Sequence, residues 1–395
     1  MTQTAYCTIL ARNYLPSALA LAESLERFGS PHPLHVLLID APELDGLPDV
    51  PGVRWLNPSS LRLPERLLLE LAMSYDLVEF ATAVKPVLLD MLLDDYEQVF
   101  YLDPDTYQVS PMLELTPGLQ DGSGILLTPH YLEPAPAQGA FTEGHLLNVG
   151  VYNLGFCGVD RRARDFIAWW WEHLREECLH DPIAGLFVDQ KWVDIGSVLF
   201  SATCLRHRGY NVSVGNLHER PIAKDAEGYR IGGVADRLRL FHFHAFKPEH
   251  PESLYTRPST GASGPGVISG PLRELCEEYA ATVIAKRAIA GPAPAYRFGT
   301  DTEGRPIPRR LRHAYRVAVS ADPGSVPSPF VPSEAEAFTR WRRQARRLTA
   351  GLMVSDVAKA VRCALPEEYG VLKSRMPGVT QALRRRVVES SGMWR

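Results

Sequence analysis

The opening forty residues constrain the fold most. Thr4-Ala5-Tyr6-Cys7-Thr8-Ile9-Leu10 is an apolar run of β-formers, and Leu15, Leu19, Ala22 and Leu25 then recur at helical spacing until Gly29. Leu34-His35-Val36-Leu37-Leu38-Ile39-Asp40 is a second apolar run, and Val53 to Leu56 a shorter third. A strand, a helix and a strand in that order predict parallel strands joined by right-handed crossovers, hence an α/β fold with a mixed, mainly parallel sheet flanked by helices. The turn after the first strand, Ala11-Arg12-Asn13, has no Gly-x-Gly-x-x-Gly, and no Gly-Lys-Ser/Thr occurs anywhere. A bound nucleotide must be held in another way.

With 395 residues, 45% of them hydrophobic and 22% charged, the chain suffices for one large α/β domain and an appendage. No charged head precedes an apolar run at the N-terminus, and no stretch reaches the roughly 18 to 20 apolar residues of a membrane span. The expected location is cytoplasmic. Six scattered cysteines, Cys7, Cys157, Cys178, Cys204, Cys276 and Cys363, read as reduced and mostly core. The net charge of −4 hides an asymmetry: residues 305–395 hold 18 Lys+Arg against 7 Asp+Glu, or +11, which leaves −15 on the first 304. The acidic body argues against a nucleic-acid-binding core, because phosphate contacts depend on Lys and Arg.

The richest local signal is Gln98-Val99-Phe100-Tyr101-Leu102 followed by Asp103-Pro104-Asp105. Two carboxylates one residue apart at a strand end come within reach of one hard cation; caps and solvated turns use the same residues. Ala83-Val84-Lys85-Pro86 interrupts a helical segment, so Pro86 bends it or starts a new first turn, and Lys85 is either a ligand for an anion or a solvated lysine. Leu147 to Phe156 reads as a strand in which Asn148, Gly150, Asn153 and Gly155 mark either a polar ligand or a bulge with satisfied amides. The Pro/Gly/Ala-rich loop from Glu133 to Gly139 reads as a lid or a surface excursion. Asp160 to Leu179 is a helix bearing Trp169, Trp170 and Trp171, which cannot all face one way. Asp189 and Gln190 sit among apolar neighbours and need partners. Tyr210 to Leu217 is a polar-studded strand, and Leu238 to Pro248 another, whose alternation puts His242 and His244 on one face about 7 Å apart at roughly 3.3 Å per residue.

We place a catalytic domain at 1–290, a Pro-rich connection at 291–332 and a basic helical region at 333–395. In the last, Ser333 caps a helix with Phe338, Trp341, Ala345, Leu348 and Leu352 on one stripe amid arginines. The stripe fits either packing on the main domain or peripheral contact with an anionic membrane.

In their order along residues 4 to 250, the first strand, Ala83-Val84-Lys85-Pro86, Tyr101-Leu102-Asp103-Pro104-Asp105, Leu147-Asn148-Val149-Gly150-Val151, Asp189-Gln190, and His242 ahead of Lys247-Pro248 resemble the retaining glycosyltransferases of the GT-A fold. The group with glycogenin and the bacterial lipooligosaccharide galactosyltransferases, family eight, is the nearest in pattern. The resemblance implies a Rossmann-like GT-A domain. It implies a hexosyltransferase that moves sugar with retention from a nucleotide-diphosphate sugar, a UDP-sugar above all, to a carbohydrate or lipid-linked acceptor in bacterial polysaccharide or glycolipid synthesis. Mn²⁺ (or Mg²⁺) would lie on Asp103, Asp105 and His242, with His244 in reserve. The donor would meet Ala11, Arg12, Asn13, Lys85, Asp103, Asn148, Asn153 and Lys247; Asp189 and Gln190 would be catalytic, Gln190 beside the anomeric carbon with front-face attack by the acceptor. The pattern departs from the family at its end, where four residues instead of five separate His242 from Lys247 and no Trp follows Pro248. Two other readings remain: a sugar-phosphate nucleotidyltransferase, disfavoured by the absence of a glycine-rich basic loop after the first strand, and a non-catalytic carbohydrate-binding or scaffold protein.

Overall fold

The alternating apolar runs become a seven-stranded sheet. The structure, a computed structural model, describes residues 4–29, 32–135, 142–254, 268–345, 357 and 364–375. It divides into two compact units, Met1–Arg62 with Ala81–Tyr296, and Leu63–Phe80 with Arg297–Arg395.

The chain begins with β1 (Thr4–Leu10), α1 (Leu15–Arg27), β2 (Leu34–Leu38) and β3 (Val53–Leu56). It lends α2 (Glu65–Ser74) to the second unit, passes through α3 (Leu77–Ala83), and returns with α4 (Lys85–Asp95), β4 (Gln98–Leu102) and β5 (Thr106–Gln108). Next come α5 (Leu115–Gln120), β6 (Ile125–Pro129), α6 (Glu143–Val149), β7 (Tyr152–Asp160) and α7 (Arg164–Glu177). A small β8 (His180–Asp181) and β9 (Leu186–Phe187) pair leads to α8 (Gln190–Leu199) and β10 (Thr203–Cys204). The hairpin β11 (Ile222–Asp225) and β12 (Gly228–Ile231), then β13 (Leu240–His242) and α9 (Gly270–Ala290), complete the first unit.

The sheet runs β10-β6-β7-β4-β1-β2-β3. β4, β1, β2 and β3 are parallel to one another, and β7 is antiparallel to both its neighbours. Every residue of β1, β2, β4 and β6 is buried, as in a sheet covered on both faces. Leu21, Ala22 and Leu25 of α1 share one core with Tyr6, Val36, Phe100 and Phe156 from four strands. Each such side chain contributes roughly 1.5–3 kcal/mol on burial. The order β2-β1-β4 matters most for function. The chain leaves β1 toward β2 and later returns on the other side as β4, so a crevice opens outside the carboxyl ends of β1 and β4, where open α/β sheets collect ligands. Ala11 to Asn13 and Asp103 to Asp105 lie there.

Several local expectations change. Leu147 is not the start of a strand: residues 143–149 are helical, Gly150 ends the helix at φ 111°, and the strand starts at Tyr152. Tyr210 to Leu217 has no strand either; Val212 makes one isolated bridge to Phe241, and 214–216 turn as a short 3-10 helix. β13 stops at His242, so strand alternation does not extend to His244; Ala245 turns the chain at φ 59°. Pro86 marks a new first turn, with Lys85 opening α4. Of the three indoles, Trp170 is the buried one. Residues 136–139 of the expected lid lie outside the described residues.

In the second unit α2 packs with α10 (Arg309–Ala321) and with α11 (335–345); α12 (Pro366–Arg375) follows. Met73, Leu311, Ala314, Tyr315, Val326, Phe338 and Ala345 form its core, with Trp341 against the Tyr315 ring. Phe338, Trp341 and Ala345 of the expected stripe thus pack in or against this core; Leu348 and Leu352 lie outside the described residues. The buried Arg312 guanidinium donates to the Ala72, Tyr75 and Phe298 carbonyls, which closes the end of α2. Among the described residues no helix is long and apolar enough to cross a membrane.

Candidate functional site

Asp103 follows β4 directly. Its N–H donates to the Gly155 carbonyl, while its own carbonyl accepts from the Thr106 N–H and hydroxyl, a tight turn that swings both carboxylates out of the sheet. β5 then pairs antiparallel with β13, opposing Thr106 to His242. That register brings the imidazole to the carboxylates: His242 Nε2 lies 3.2 Å from Asp105 Oδ1 and 3.6 Å from Asp103 Oδ2. One donor atom from each of the three residues lies within 4.8 Å of the others.

The hydrogen-bond network fixes which imidazole nitrogen serves. Asn211, fully buried, donates its amide nitrogen to the Thr128 hydroxyl and the Asn153 carbonyl, both at 2.8 Å. A carbonyl only accepts, so the carboxamide oxygen faces His242 Nδ1 at 3.1 Å, and Nδ1 must carry a proton. The Nε2 side is left for the carboxylates or for a cation they share. Burial opposes a charge on His242, but Asp105 and Asp103 outweigh it and raise its pKa; burial likewise opposes the Asp105 carboxylate, yet His242 draws that pKa down. Two carboxylate oxygens and one imidazole nitrogen with its tautomer set by a neighbour could hold a divalent ion, and the imidazole makes the hard, oxygen-preferring Ca²⁺ and Mg²⁺ poorer fits than Mn²⁺.

Gly155 explains how His242 gets in. A Cβ there would stand 2.4 Å from the imidazole, so the bare backbone of β7 is what the ring lies against. Asn153 turns its side-chain oxygen to the Gly155 N–H at 3.0 Å. Of the two readings, a polar ligand or a bulge with satisfied amides, the bulge is present: the β6–β7 register shifts between Leu127 and Pro129, Asn153 satisfies the Gly155 N–H within it, and Gly155 leaves room there for His242.

Behind the cluster lies Lys85, 1% exposed, with its ammonium 2.5 Å from Asp189 Oδ2, 3.1 Å from the Leu154 carbonyl and 4.0 Å from the Tyr101 ring centre. Burial disfavours the charge, but Asp189 and Asp103 more than compensate and keep Lys85 protonated. Tyr101, whose pKa burial and Asp103 drive up, donates its hydroxyl to Asp103 Oδ1 at 2.7 Å. Lys85 is therefore neither solvated nor aimed outward: its hydrogens are satisfied inside the protein, and it braces Asp189 and the Tyr101–Asp103 contact.

The other expected residues separate. Gln190 opens α8; its amide nitrogen donates to the Val149 carbonyl and faces His130, and its oxygen accepts from the Leu154 N–H. Arg12 and Asn13 line a cleft of about 540 Å³ with Pro16, Arg287 and Gly291, and the Arg12 N–H is tied to Asp40. Ala11 is buried at the end of β1. The His244 ring is 5.3 Å from that of His242. Asn148 is exposed and donates to the Gly144 carbonyl of its own helix, and Lys247 is exposed in the turn after Phe246. Sequence reasoning assigned no role to Asn211, His130 or Tyr101. Polar residues embedded in apolar runs were the one signal that pointed to them. Among the described residues five non-glycines have left-handed φ, and Val188, Asn211 and Ala245 are three of them, all next to this site; such strain persists where the surroundings enforce it.

Fold and cluster define the class: an α/β protein with a mainly parallel sheet and an Asp-Asp-His site at the carboxyl ends of its strands. The chain is 31% identical over 255 residues to the uncharacterized protein YfnF of Bacillus subtilis (strain 168), a match that covers 62% of this chain and 82% of YfnF. It belongs to the family of that protein. No protein-family model matches. Similar solved structures include a glycosyltransferase involved in glycosylation of the major capsid of PBCV-1 (11% identity, 62% of this chain and 94% of that one, TM-score 0.35). They also include the galactosyltransferase LgtC in complex with donor and acceptor sugar analogs (16% identity, 70% and 95%, TM-score 0.39), and the WbbM bifunctional glycosyltransferase (13% identity, 54% and 40%, TM-score 0.34).

Proposed function

We propose that the first unit is a metal-dependent glycosyltransferase that takes a sugar from a nucleotide-diphosphate sugar, a UDP-sugar first, and passes it with retention to a carbohydrate or lipid-linked acceptor. The observation that carries this reading is the convergence of Asp103, Asp105 and His242 Nε2 at the crevice between β1 and β4. Support also comes from the ordered motifs that resemble family-eight glycosyltransferases.

Asp103, Asp105 and His242 would hold Mn²⁺ or Mg²⁺, which supplies charge neutralisation to a diphosphate as it leaves the sugar. Asn211 keeps the imidazole in the ligating tautomer. Tyr101 orients Asp103, and Lys85 holds Asp189 in place and offsets part of the burial and of the Asp103 charge that together raise the Asp189 pKa, leaving its carboxyl group to bond sugar hydroxyls. The Arg12–Asn13 cleft lies at the end of the adjacent strand, where the nucleoside end of the donor would extend.

A panel of nucleotide sugars, assayed for nucleotide release with and without Mn²⁺, tests the reading. We expect Mn²⁺-dependent release from a UDP-sugar, and a loss of at least about 100-fold in Asp103→Ala or Asp105→Ala with the native circular dichroism spectrum retained. Full turnover in both variants would refute it. Calorimetry with UDP and Mn²⁺ separates an enzyme from a scaffold, since a scaffold has no reason to bind UDP in a metal-dependent way.

A further inference from the structure

Beside the Asp103, Asp105 and His242 cluster and Lys85 lies a further buried polar contact, that of Gln190 with His130. Gln190 Nε2 donates to the Val149 carbonyl at 2.7 Å and lies 3.1 Å from His130 Nε2, while Gln190 Oε1 accepts from the Leu154 N–H at 3.3 Å. Because a carbonyl must accept and a backbone N–H must donate, the carboxamide cannot be turned over without losing both. Its nitrogen therefore points one hydrogen at His130, and His130 Nε2 has to accept it. That leaves the imidazole proton on Nδ1. The His130 backbone is held as firmly: its N–H donates to the Val151 carbonyl, and its carbonyl accepts from Asn216 Nδ2 and faces Arg220.

We propose that His130 is a positioning residue for Gln190, a neutral imidazole that accepts through Nε2 and locks the carboxamide between the ends of α6 and β6 and the start of β7. Gln190 is then a strut of the donor site, because both of its amide hydrogens are engaged and its oxygen is turned to the Leu154 N–H. The surroundings agree. Burial is the main reason that the His130 pKa falls to about 3, and His244, His145, His242 and Arg220, which face it from neighbouring segments, add to the effect. Tyr131 stacks edge-on to the ring and adds no charge. Only the consequence for turnover rests on the glycosyltransferase reading; the tautomer does not.

The test is twofold. Long-range ¹⁵N–¹H spectra of the labelled full chain, assigned with His130→Gln, should show His130 protonated on Nδ1 and unchanged from about pH 8 to about pH 5. A proton on Nε2, or an imidazolium at pH 5, would overturn the proposal. In turnover of the nucleotide sugar found by the donor panel, His130→Leu should lower kcat about 10- to 100-fold with KM within about twofold, and His130→Gln, which keeps an acceptor, should recover most of it. Equal losses in the two variants would also overturn it. If the wild-type chain turns over no nucleotide sugar, the functional reading falls, and the spectra still decide the tautomer.

Discussion

Gly155 and His242 occupy the same space: the imidazole lies where a side chain on residue 155 would be, 2.4 Å from its Cβ position. Gly155→Ala should therefore push His242 away from Asp103 and Asp105. We expect about 1–3 kcal/mol of destabilisation, as for other overpacked sites, with a much larger relative loss of Mn²⁺ binding. Calorimetric Mn²⁺ titration beside a thermal melt checks this; unchanged affinity would show that His242 does not ligate.

Asn211 holds His242 from the side away from Asp103 and Asp105. Asn211→Gly keeps the left-handed backbone at φ 52° and removes the carboxamide that holds His242 Nδ1. Losing such a partner typically weakens metal binding about 10- to 100-fold. An affinity within error of wild type would rule out the tautomer lock.

The Lys85–Asp189 pair is buried on both sides, at 1% and 4% exposure. Lys85→Met leaves a carboxylate buried without its partner, at a cost of about 3–5 kcal/mol, whereas Lys85→Met with Asp189→Leu should regain much of that. Urea unfolding of the single and double variants measures the coupling. A single variant as stable as wild type would mean that the pair is solvated in solution.

His35 contributes to the acid limb of stability, as does the deeply buried imidazole of His130. Burial first, then the Arg54 charge, lowers the His35 pKa from 6.5 to about 4, while Nε2 faces the Tyr96 hydroxyl. A folded-state pKa below the unfolded one means that the unfolded chain binds the extra proton. Stability is complete above about pH 6.5 and falls as pH drops toward 4. At about 1.4 kcal/mol per pKa unit the loss from this one group is on the order of 3 kcal/mol. His35→Gln should make the curve of urea midpoint against pH less steep between about 4 and 6.5, with His130 supplying the remaining slope, and an unchanged slope would contradict the burial argument.

The sequence by itself determined the strands that make the parallel half of the sheet. A run such as Leu34 to Leu38 has only one kind of place to go, a sheet buried on both faces, and Asp103-Pro104-Asp105 had to fall where β4 leaves it. Burial pattern is a local property, so it can be read along the chain. Only the tertiary structure decided what those carboxylates meet. The pairing of Thr106 with His242 across 136 positions, the gap over Gly155 that admits the ring, and the Asn211 carboxamide that turns it all depend on segments adjacent in space and far apart in sequence. Lys85 shows the same division: the sequence put it at a helix end, but Asp189, 104 residues away, made it a buried brace. Asn148 shows the converse, since an isolated Leu-Asn-Val-Gly-Val suits a strand until Gly150 and the Gly144 carbonyl close a helix around it. Hydrophobic pattern carries the layers; partners for buried polar groups are non-local, and they set the chemistry.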